Sequence, residues 1–370
     1  MSKLFITGNG FDLRHRLETS YNDFKIFLII QILKEKYRKE ELNFLEEFCN
    51  YCDDYLTNYS PNEKILKSEI TLILEDDSIE KISMVMKKII EEYFFDSYPK
   101  EDIDMYFQEY LENESNWSKY FINLIEVVYS WQEFESSLGK IYLEVVNNYS
   151  NPFKSLDYNE ANRILDQNRE VQSEIFEMLE DLHISFRNWI GLVDVNKANK
   201  FKDLEERTNE ETLFLTFNYT NLLEEIYNVK LNNILHIHGK VGEKIIYGHE
   251  GFELLSEKDE YLKECELIQT TNGEAIYELD EKLRKKTEKI IKRKKVKDFF
   301  EKFKNVDEIY SYGFSYGKVD QVYIEEIIKK VNGKDVTWYL NDYNHKENLN
   351  YIELIKKIGF EGEIKEFSCN

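Results

Sequence analysis

A short apolar run joins two closely spaced glycines at residues 3–10, Lys-Leu-Phe-Ile-Thr-Gly-Asn-Gly. An apolar run that ends in a tight turn is typical of a buried β-strand. Ligands of open α/β sheets bind beyond the carboxyl ends of the strands, and glycines let the backbone approach a phosphate or a ribose closely. Leu13 stands where a complete dinucleotide fingerprint would have its third glycine. We therefore expect a partial nucleotide-binding turn made by Gly8, Asn9, Gly10, Phe11 and Asp12.

The pattern changes after residue 20, because apolar residues then recur every three or four positions, as in Ile82, Met86 and Ile89. Strand patterns return later, with a predicted helix from 322 to 330 between the last two, at 212–217, 233–238, 308–312 and 335–340. This alternation predicts an α/β fold with a doubly wound, mainly parallel sheet and a large helical insertion after the first strand. We expect residues 1–20 and 208–370 to form the core, and residues 21–207 to form the insertion.

Polar side chains and glycines follow the later strands just as the glycine turn follows the first. Because the carboxyl ends of parallel strands meet at one edge of a sheet, we expect these residues to surround one crevice. A glycine after the second histidine of the third strand leaves room for a ligand. The candidate binding residues at these strand ends are Thr216, Asn218, Tyr219, His236, His238, Gly313, Ser315 and Asp320.

Composition and charge favour a protein of the cytoplasm that does not enter a membrane. The four cysteines are too few and too scattered for a secreted disulfide framework. No basic region followed by a long apolar run opens the sequence, and the apolar stretch 24–33 is too short to span a bilayer. The net charge of −23 repels nucleic-acid phosphates and anionic lipids. We therefore expect neither a membrane nor a nucleic acid as partner.

One basic segment, residues 282–297, departs from this acidic character. Its lysines and arginines fall on a stretch with a helical pattern, and two interpretations are open. The segment is either a solvated helix that balances an acidic protein or a nucleic-acid patch. The lack of interleaved aromatic residues favours the solvated helix.

Several short motifs, taken in their order along the chain, resemble the bacteriophage abortive infection protein AbiH family. The motifs are residues 6–13 with 20–24, 131–135, 217–220, 236–239 and 313–315 with Asp320. The order glycine turn, Thr-x-Asn-Tyr, His-Gly and Gly-x-Ser is also similar to that of sirtuin-like domains in prokaryotic defence proteins, some of which hydrolyse NAD. This second resemblance implies a Rossmann-like, sirtuin-like sheet. Nothing resembles the four-cysteine zinc module of protein deacetylases, so deacetylation is not expected.

The resemblance implies a phage-defence effector that binds NAD or a related nucleotide and hydrolyses it when infection is sensed. A partner defence protein or a second copy of the chain is then an expected protein partner. A rival interpretation is a nucleotide-binding sensor or scaffold that uses the same crevice without turnover. A second rival is an effector directed at nucleic acids through residues 282–297.

The hydrolase interpretation gives two residues a catalytic role. Asn218 would hold the ribose or position the attacking water, and His238 would take a proton near neutral pH. His236 is either part of this site or a packed strand residue. A zinc site made by His236, His238 and His249 is a further alternative, but no carboxylate or cysteine clearly completes it, so no metal is predicted.

Four carboxylates also have two interpretations each. Asp12 and Asp320 either bind the ligand or cap the helices that follow them. Glu133 and Glu135 lie in the predicted insertion, where they belong either to a solvated face or to a lid over the crevice.

Overall fold

Six parallel strands form one sheet in the order β3-β2-β1-β4-β5-β6. The computed structural model describes residues 2–21, 23–24, 27–28, 135, 173, 176–177, 179–249 and 281–368. The strands are β1 (Ser2–Thr7), β2 (Leu213–Thr216), β3 (Ile234–His236), β4 (Val306–Tyr312), β5 (Thr337–Asn341) and β6 (Glu363–Phe367). β1 is central, since Leu4 pairs with Leu213 of β2 on one side and with Ile309 of β4 on the other.

Short helices connect these strands. They are α1 (Asn9–Arg14), α2 (Lys202–Arg207), α3 (Leu222–Glu225), α4 (Thr287–Ile291), α5 (Lys294–Phe300), α6 (Gln321–Lys330) and α7 (His345–Ile358). Residues 179–192 are also helical, and single 3₁₀ turns occur at Val195–Lys197, Leu231–Asn233, Glu301–Asn305, Lys318–Asp320 and Asp342–Asn344. Within the described part of the chain, no helix has the length and apolar character needed to cross a bilayer.

Apolar residues cover both faces of the sheet, which explains why its central strands are apolar in nearly every position. On β1, Leu4 and Ile6 pack with Phe303 and Ile324 in one cluster. Phe5, between them, packs in the opposite cluster, which contains side chains of α1, α2 and α3. Alternate residues of a strand point to opposite faces, so a continuous apolar run is the pattern of a strand buried on both sides.

The α/β prediction with a mainly parallel sheet is confirmed, and the predicted helix at 322–330 corresponds to α6. One strand was not predicted: β6 pairs with β5 at the edge of the sheet. The third strand is shorter than predicted, because it ends at His236 and the chain turns at residues 237–238.

The chain divides into two compact units. One contains residues 1–20, 133–176 and 186–370, and the other contains residues 21–132 and 177–185. α2 falls within the range predicted as insertion, yet its Leu204 packs in a cluster of the sheet. Most of the range 21–207, including the repeat around Ile82, Met86 and Ile89, lies outside the described residues, so the helical insertion stays a prediction.

Candidate functional site

The glycine turn after β1 packs directly against the end of β4. The Gly8 N–H donates to the Tyr312 carbonyl at 3.1 Å, and the Gly10 N–H donates to the Gly313 carbonyl at 3.0 Å. A Cβ atom on Gly313 would lie 2.2 Å from the Phe11 nitrogen, far inside contact distance. The Phe11 N–H donates to the Gly8 carbonyl at 2.8 Å. Three N–H groups of the turn therefore donate to carbonyl groups of the protein itself. These hydrogen bonds do not support the prediction that the turn contacts a ligand, which stays a prediction.

Asp12 connects the turn after β1 to the loop after β2. Its buried carboxylate accepts hydrogen bonds from Asn218 Nδ2 at 2.7 Å and from Thr220 Oγ1 at 2.8 Å. Gly8, not Asp12, is the residue that caps α1. The capping interpretation of Asp12 is therefore wrong, because its carboxylate anchors the side chains that follow β2.

Burial raises the pKa of Asp12 to about 7, although the hydrogen bonds from Thr220 and Asn218 oppose this rise. Two polar atoms at these strand ends, Asn218 Oδ1 and Thr7 Oγ1, are buried and have no hydrogen-bond partner among the described residues. A buried polar atom without a partner costs free energy until water or a ligand satisfies it. Because Asp12 fixes the Nδ2 side of the Asn218 amide, Oδ1 is left as an acceptor with a defined orientation.

His236 supports Asn218 through the backbone. Its Nδ1 lies 3.0 Å from the Asn218 carbonyl oxygen, and its Nε2 lies 3.0 Å from Glu224 Oε1. Lys240 Nζ binds the same carboxylate at 2.7 Å. Burial raises the pKa of Glu224, but the hydrogen bonds from His236 and Lys240 outweigh it and lower the pKa to about 2. Both ring nitrogens of His236 are in use, so the geometry favours the packed strand interpretation for this residue.

His238 lies in a second polar cluster. Its side chain is 1% exposed, and its Nε2 lies 3.2 Å from the Tyr323 hydroxyl and 3.5 Å from Asp320 Oδ1. Burial lowers the pKa of His238 well below 6.5, and the positive charges of Lys285 and Arg293 act in the same direction. The imidazole is therefore uncharged at neutral pH, which is the state that a general base requires.

Asp320 faces His238 rather than the helix that follows it. Asp320 occupies the N-cap position of α6, as one of its two interpretations predicted, but its side chain makes no capping hydrogen bond. Burial raises the pKa of Asp320 to about 6, and the Lys285 ammonium opposes this rise. The carboxylate lies 3.3 Å from Lys285 Nζ.

Lys285 is buried, contrary to the prediction of a solvated basic helix. Its side chain is 3% exposed, and its Nζ lies 2.9 Å from the Glu135 carboxylate. Burial lowers the pKa of Lys285, but the carboxylates of Asp320 and Glu135 outweigh it and hold the pKa above 10.5. Glu135 is itself mostly buried, so its interpretation as part of a solvated face is wrong. Glu133 lies outside the described residues.

The backbone explains why one lysine of a basic segment points inward. Residues 283–285 run alongside His249, with the Lys285 N–H donating to the His249 carbonyl at 2.9 Å. Residues 281–283 are helical, Arg284 forms the bridge to His249, and Lys286 takes a left-handed conformation with a φ of +42° before α4 begins. Leu283 and Lys285, on either side of the bridge residue, are both buried. The predicted continuous helix over 282–297 is therefore wrong.

The remaining predicted site residues are placed in three ways. Thr216 Oγ1 accepts from the Asn218 N–H at 3.2 Å. Thr216 thus belongs to the first cluster, the polar groups around Asp12 and Asn218. The Tyr219 hydroxyl donates to the Ile246 carbonyl at 3.2 Å and lies 3.5 Å from Glu135 Oε1, beside the second cluster. Asn9 and Ser315 are exposed at the surface.

Two of the three histidines of the zinc alternative contact different groups, since His236 binds Glu224 and His238 lies beside Tyr323. Within the ranges that the structure describes, no three His, Cys, Asp or Glu side chains come together as a metal site would require. The two clusters consist instead of hydrogen-bonded polar groups and one buried ion network.

The family model for bacteriophage abortive infection AbiH proteins matches residues 4–342, from β1 to the end of β5. The chain belongs to the AbiH family. Membership associates it with abortive infection, the defence against bacteriophages for which the family is described. No curated protein and no solved structure matches the chain.

Five residues of this AbiH protein's clusters were missed by sequence reasoning: Glu224 and Lys240 beside His236, and Thr220, Tyr323 and Lys285. Thr220 directly follows the Asn-Tyr pair, so its position in the motif is a sequence signal that could have identified it. Tyr323 stands three residues after Asp320, a spacing that places two side chains on one face of a helix. No sequence signal separates Lys285 from the lysines around it, because its burial depends on the bridge to His249.

Proposed function

We propose that this chain is a phage-defence effector that binds NAD or a related nucleotide beyond the carboxyl ends of β1 to β4 and hydrolyses its N-glycosidic bond. The observation that carries the proposal is the Asn218 amide. Asp12 fixes its nitrogen at 2.7 Å, while its oxygen is buried and, among the described residues, has no partner. Such an acceptor is prepared for a hydroxyl of the ribose or for a water molecule.

The strand order supports a nucleotide-binding sheet. The order β3-β2-β1-β4-β5-β6 is that of Rossmann-like, doubly wound sheets, in which the crevice lies where the strand order reverses. In this chain the reversal falls between β1 and β4, at the contact between the glycine turn and Gly313. The clusters of Asn218 and His238 follow the neighbouring strands β2 and β3.

The chemistry requires little from the protein beyond orientation and one base. Cleavage of the bond to nicotinamide passes through an oxocarbenium-like state, which water then attacks. Positively charged nicotinamide leaves as a neutral group, so no strong acid is needed. In the proposal, Asn218 Oδ1 orients the water, and the uncharged His238 imidazole takes up its proton.

The test is release of nicotinamide from NAD by the purified chain, followed by chromatography, with ATP and other nucleotides in parallel. Asn218→Ala and His238→Ala should each lower turnover at least about a hundredfold, the usual scale for a positioned acid–base group. The affinity for NAD should change far less. Asn350→Ala and His345→Ala, at exposed positions of α7, are the matched controls and should retain full activity.

Two results would contradict the hydrolase. One is a folded wild-type protein that releases no nicotinamide, alone or with its partners from the same defence system. The other is a His238→Ala variant as active as the wild type. A nucleotide that raises the melting temperature without yielding product would support the sensor interpretation instead.

A further inference from the structure

We propose that Lys285 is a positioning residue of this site: its ammonium group binds Glu135 and Asp320 together and thereby holds the Asp320 carboxylate against the His238 imidazole. The catalytic meaning of this arrangement rests on the proposed function. The arrangement itself does not, because it can be measured in protein without substrate.

The geometry makes Lys285 the centre of the second cluster. Its Nζ lies 2.9 Å from Glu135 Oε2 and 3.3 Å from Asp320 Oδ1, and the same Asp320 oxygen lies 3.5 Å from His238 Nε2. Only 3% of the lysine side chain is exposed, against 15% of Asp320 and 17% of Glu135. Burying an ammonium group costs several kcal/mol unless carboxylates surround it, so the three charges stabilise one another as a set.

The charges around His238 give this set a consequence for the imidazole. Lys285 and Arg293 favour its uncharged form, whereas Asp320 favours the charged form. Tyr323, the other neighbour of Nε2, stays protonated at neutral pH because burial raises its pKa far above 10. Removal of the Lys285 charge takes away one of the two positive charges that lower the pKa of His238. That pKa should therefore rise, which favours imidazolium, the form that cannot act as a base.

Arg293 and Glu288 also contribute to the field at this cluster, through their effects on Tyr323. Tyr219 stays uncharged, because burial and the carboxylates of Glu135 and Asp320 raise its pKa well above 10. Lys285 differs from these groups because its ammonium lies 3.3 Å from Asp320, the carboxylate beside His238. The charge of His238 therefore depends on Lys285. Through Lys285 it also depends on Glu135, which lies 150 positions before Lys285 in the sequence.

The experiment is a pH titration of the chain carrying ¹³C-labelled histidine, followed by NMR. The chain has six histidines, and a spectrum of His238→Ala assigns the resonance of His238. In the wild type we expect the His238 resonance to remain that of neutral imidazole well below pH 6.5, because burial and the positive charges of Lys285 and Arg293 lower its pKa. In Lys285→Met its midpoint should rise by at least about one pH unit. Lys285→Arg should restore the wild-type behaviour, and Lys289→Met, at an exposed position, should not change it.

If Lys285→Met does not fold, the double variant Glu135→Gln with Lys285→Met removes the excess carboxylate and provides the same measurement. A His238 midpoint in the folded variant that equals the wild-type value overturns the proposal. Where the wild type releases nicotinamide, the acid limb of its pH–rate profile should move upward in Lys285→Met in parallel with the NMR midpoint. Absence of nicotinamide release in every variant refutes the hydrolase alone, because the titration still reports on Lys285.

Discussion

Gly313→Ala measures how closely the glycine turn and the end of β4 approach each other. Gly313 has a φ of +63°, where an L-residue costs roughly 1–2 kcal/mol. Its new Cβ would also lie 2.2 Å from the Phe11 nitrogen and 2.3 Å from the Gly10 carbonyl carbon. These atoms belong to the backbone, so the clash cannot be relieved by a side-chain rotation. Overpacking of this kind costs about 1–3 kcal/mol more. We therefore expect a total loss of about 2–5 kcal/mol.

Two other glycines separate the two contributions. Gly242 has a φ of +80° and open space around its Cβ position, so Gly242→Ala should cost only the backbone strain of roughly 1–2 kcal/mol. Gly317 has a φ of −51°, and its Cβ would lie 3.9 Å from Ser315 Oγ. Gly317→Ala should therefore be neutral, or stabilising by about 0.4–1 kcal/mol through the unfolded state.

Urea denaturation of the four proteins, monitored by circular dichroism, gives the free energies of unfolding. The expected order of stability is Gly317→Ala, wild type, Gly242→Ala and Gly313→Ala, from highest to lowest. If Gly313→Ala loses no more than Gly242→Ala, the two loops are not in backbone contact, and the packing described for this turn is incorrect.

Two further predictions concern Asp12 and the basic segment. Because burial raises the pKa of Asp12 to about 7, its contribution to stability is complete below about pH 4 and is lost as the pH rises through 7, on the order of 4 kcal/mol in total. Asp12→Asn should remove this decline in the free energy of unfolding, measured with urea between pH 4 and 8. Asp298→Asn, at an exposed position, should keep the decline. If the free energies of the wild type and of Asp12→Asn change in parallel with pH, the pKa of Asp12 is ordinary and the reasoning fails. Charge reversal of the exposed Lys289, Lys292 and Lys295 to Glu should leave defence in cells unchanged, and a joint loss of defence and of salt-dependent RNA binding would establish the nucleic-acid effector.

β1 and β2 were predicted because burial on both faces requires apolar residues in most positions, whereas β5 was predicted although only alternate residues of it are buried. All four residues of β2, for example, are buried. β6 was missed because it lies at the edge of the sheet and reads Glu-Ile-Lys-Glu-Phe, of which only Phe367 is buried. Such a strand forms through backbone pairing with β5, and its side chains carry almost no signal of that pairing.

The candidate site was predictable as a set of strand ends but not as a set of contacts. Residue type and position placed Asn218 and His238 after β2 and β3, yet no pattern indicated that they belong to different clusters. The pairing of Asp12 with Asn218 spans 206 positions and depends on the register of β1 against β2. Lys285 was misassigned because a local charge pattern was interpreted as a local structure, while a distant extended bridge determines its burial.

The central position of β1 has a consequence for the order of folding. Leu4 pairs with Leu213 and Ile309, so β1 is synthesised long before either neighbour. At roughly 5–20 residues per second, the ribosome reaches β2 about 10–40 s later and β4 about 15–60 s later. Throughout this time β1 has no partner strand, and the hydrogen-bonding edges that it exposes are a template for wrong pairing. Closing so long a loop costs little at equilibrium, since each doubling of length adds only about 0.6 kcal/mol, so the burden of this topology is kinetic. The sheet, and with it the Asp12 to Asn218 contact, can be completed only after most of the chain has been made.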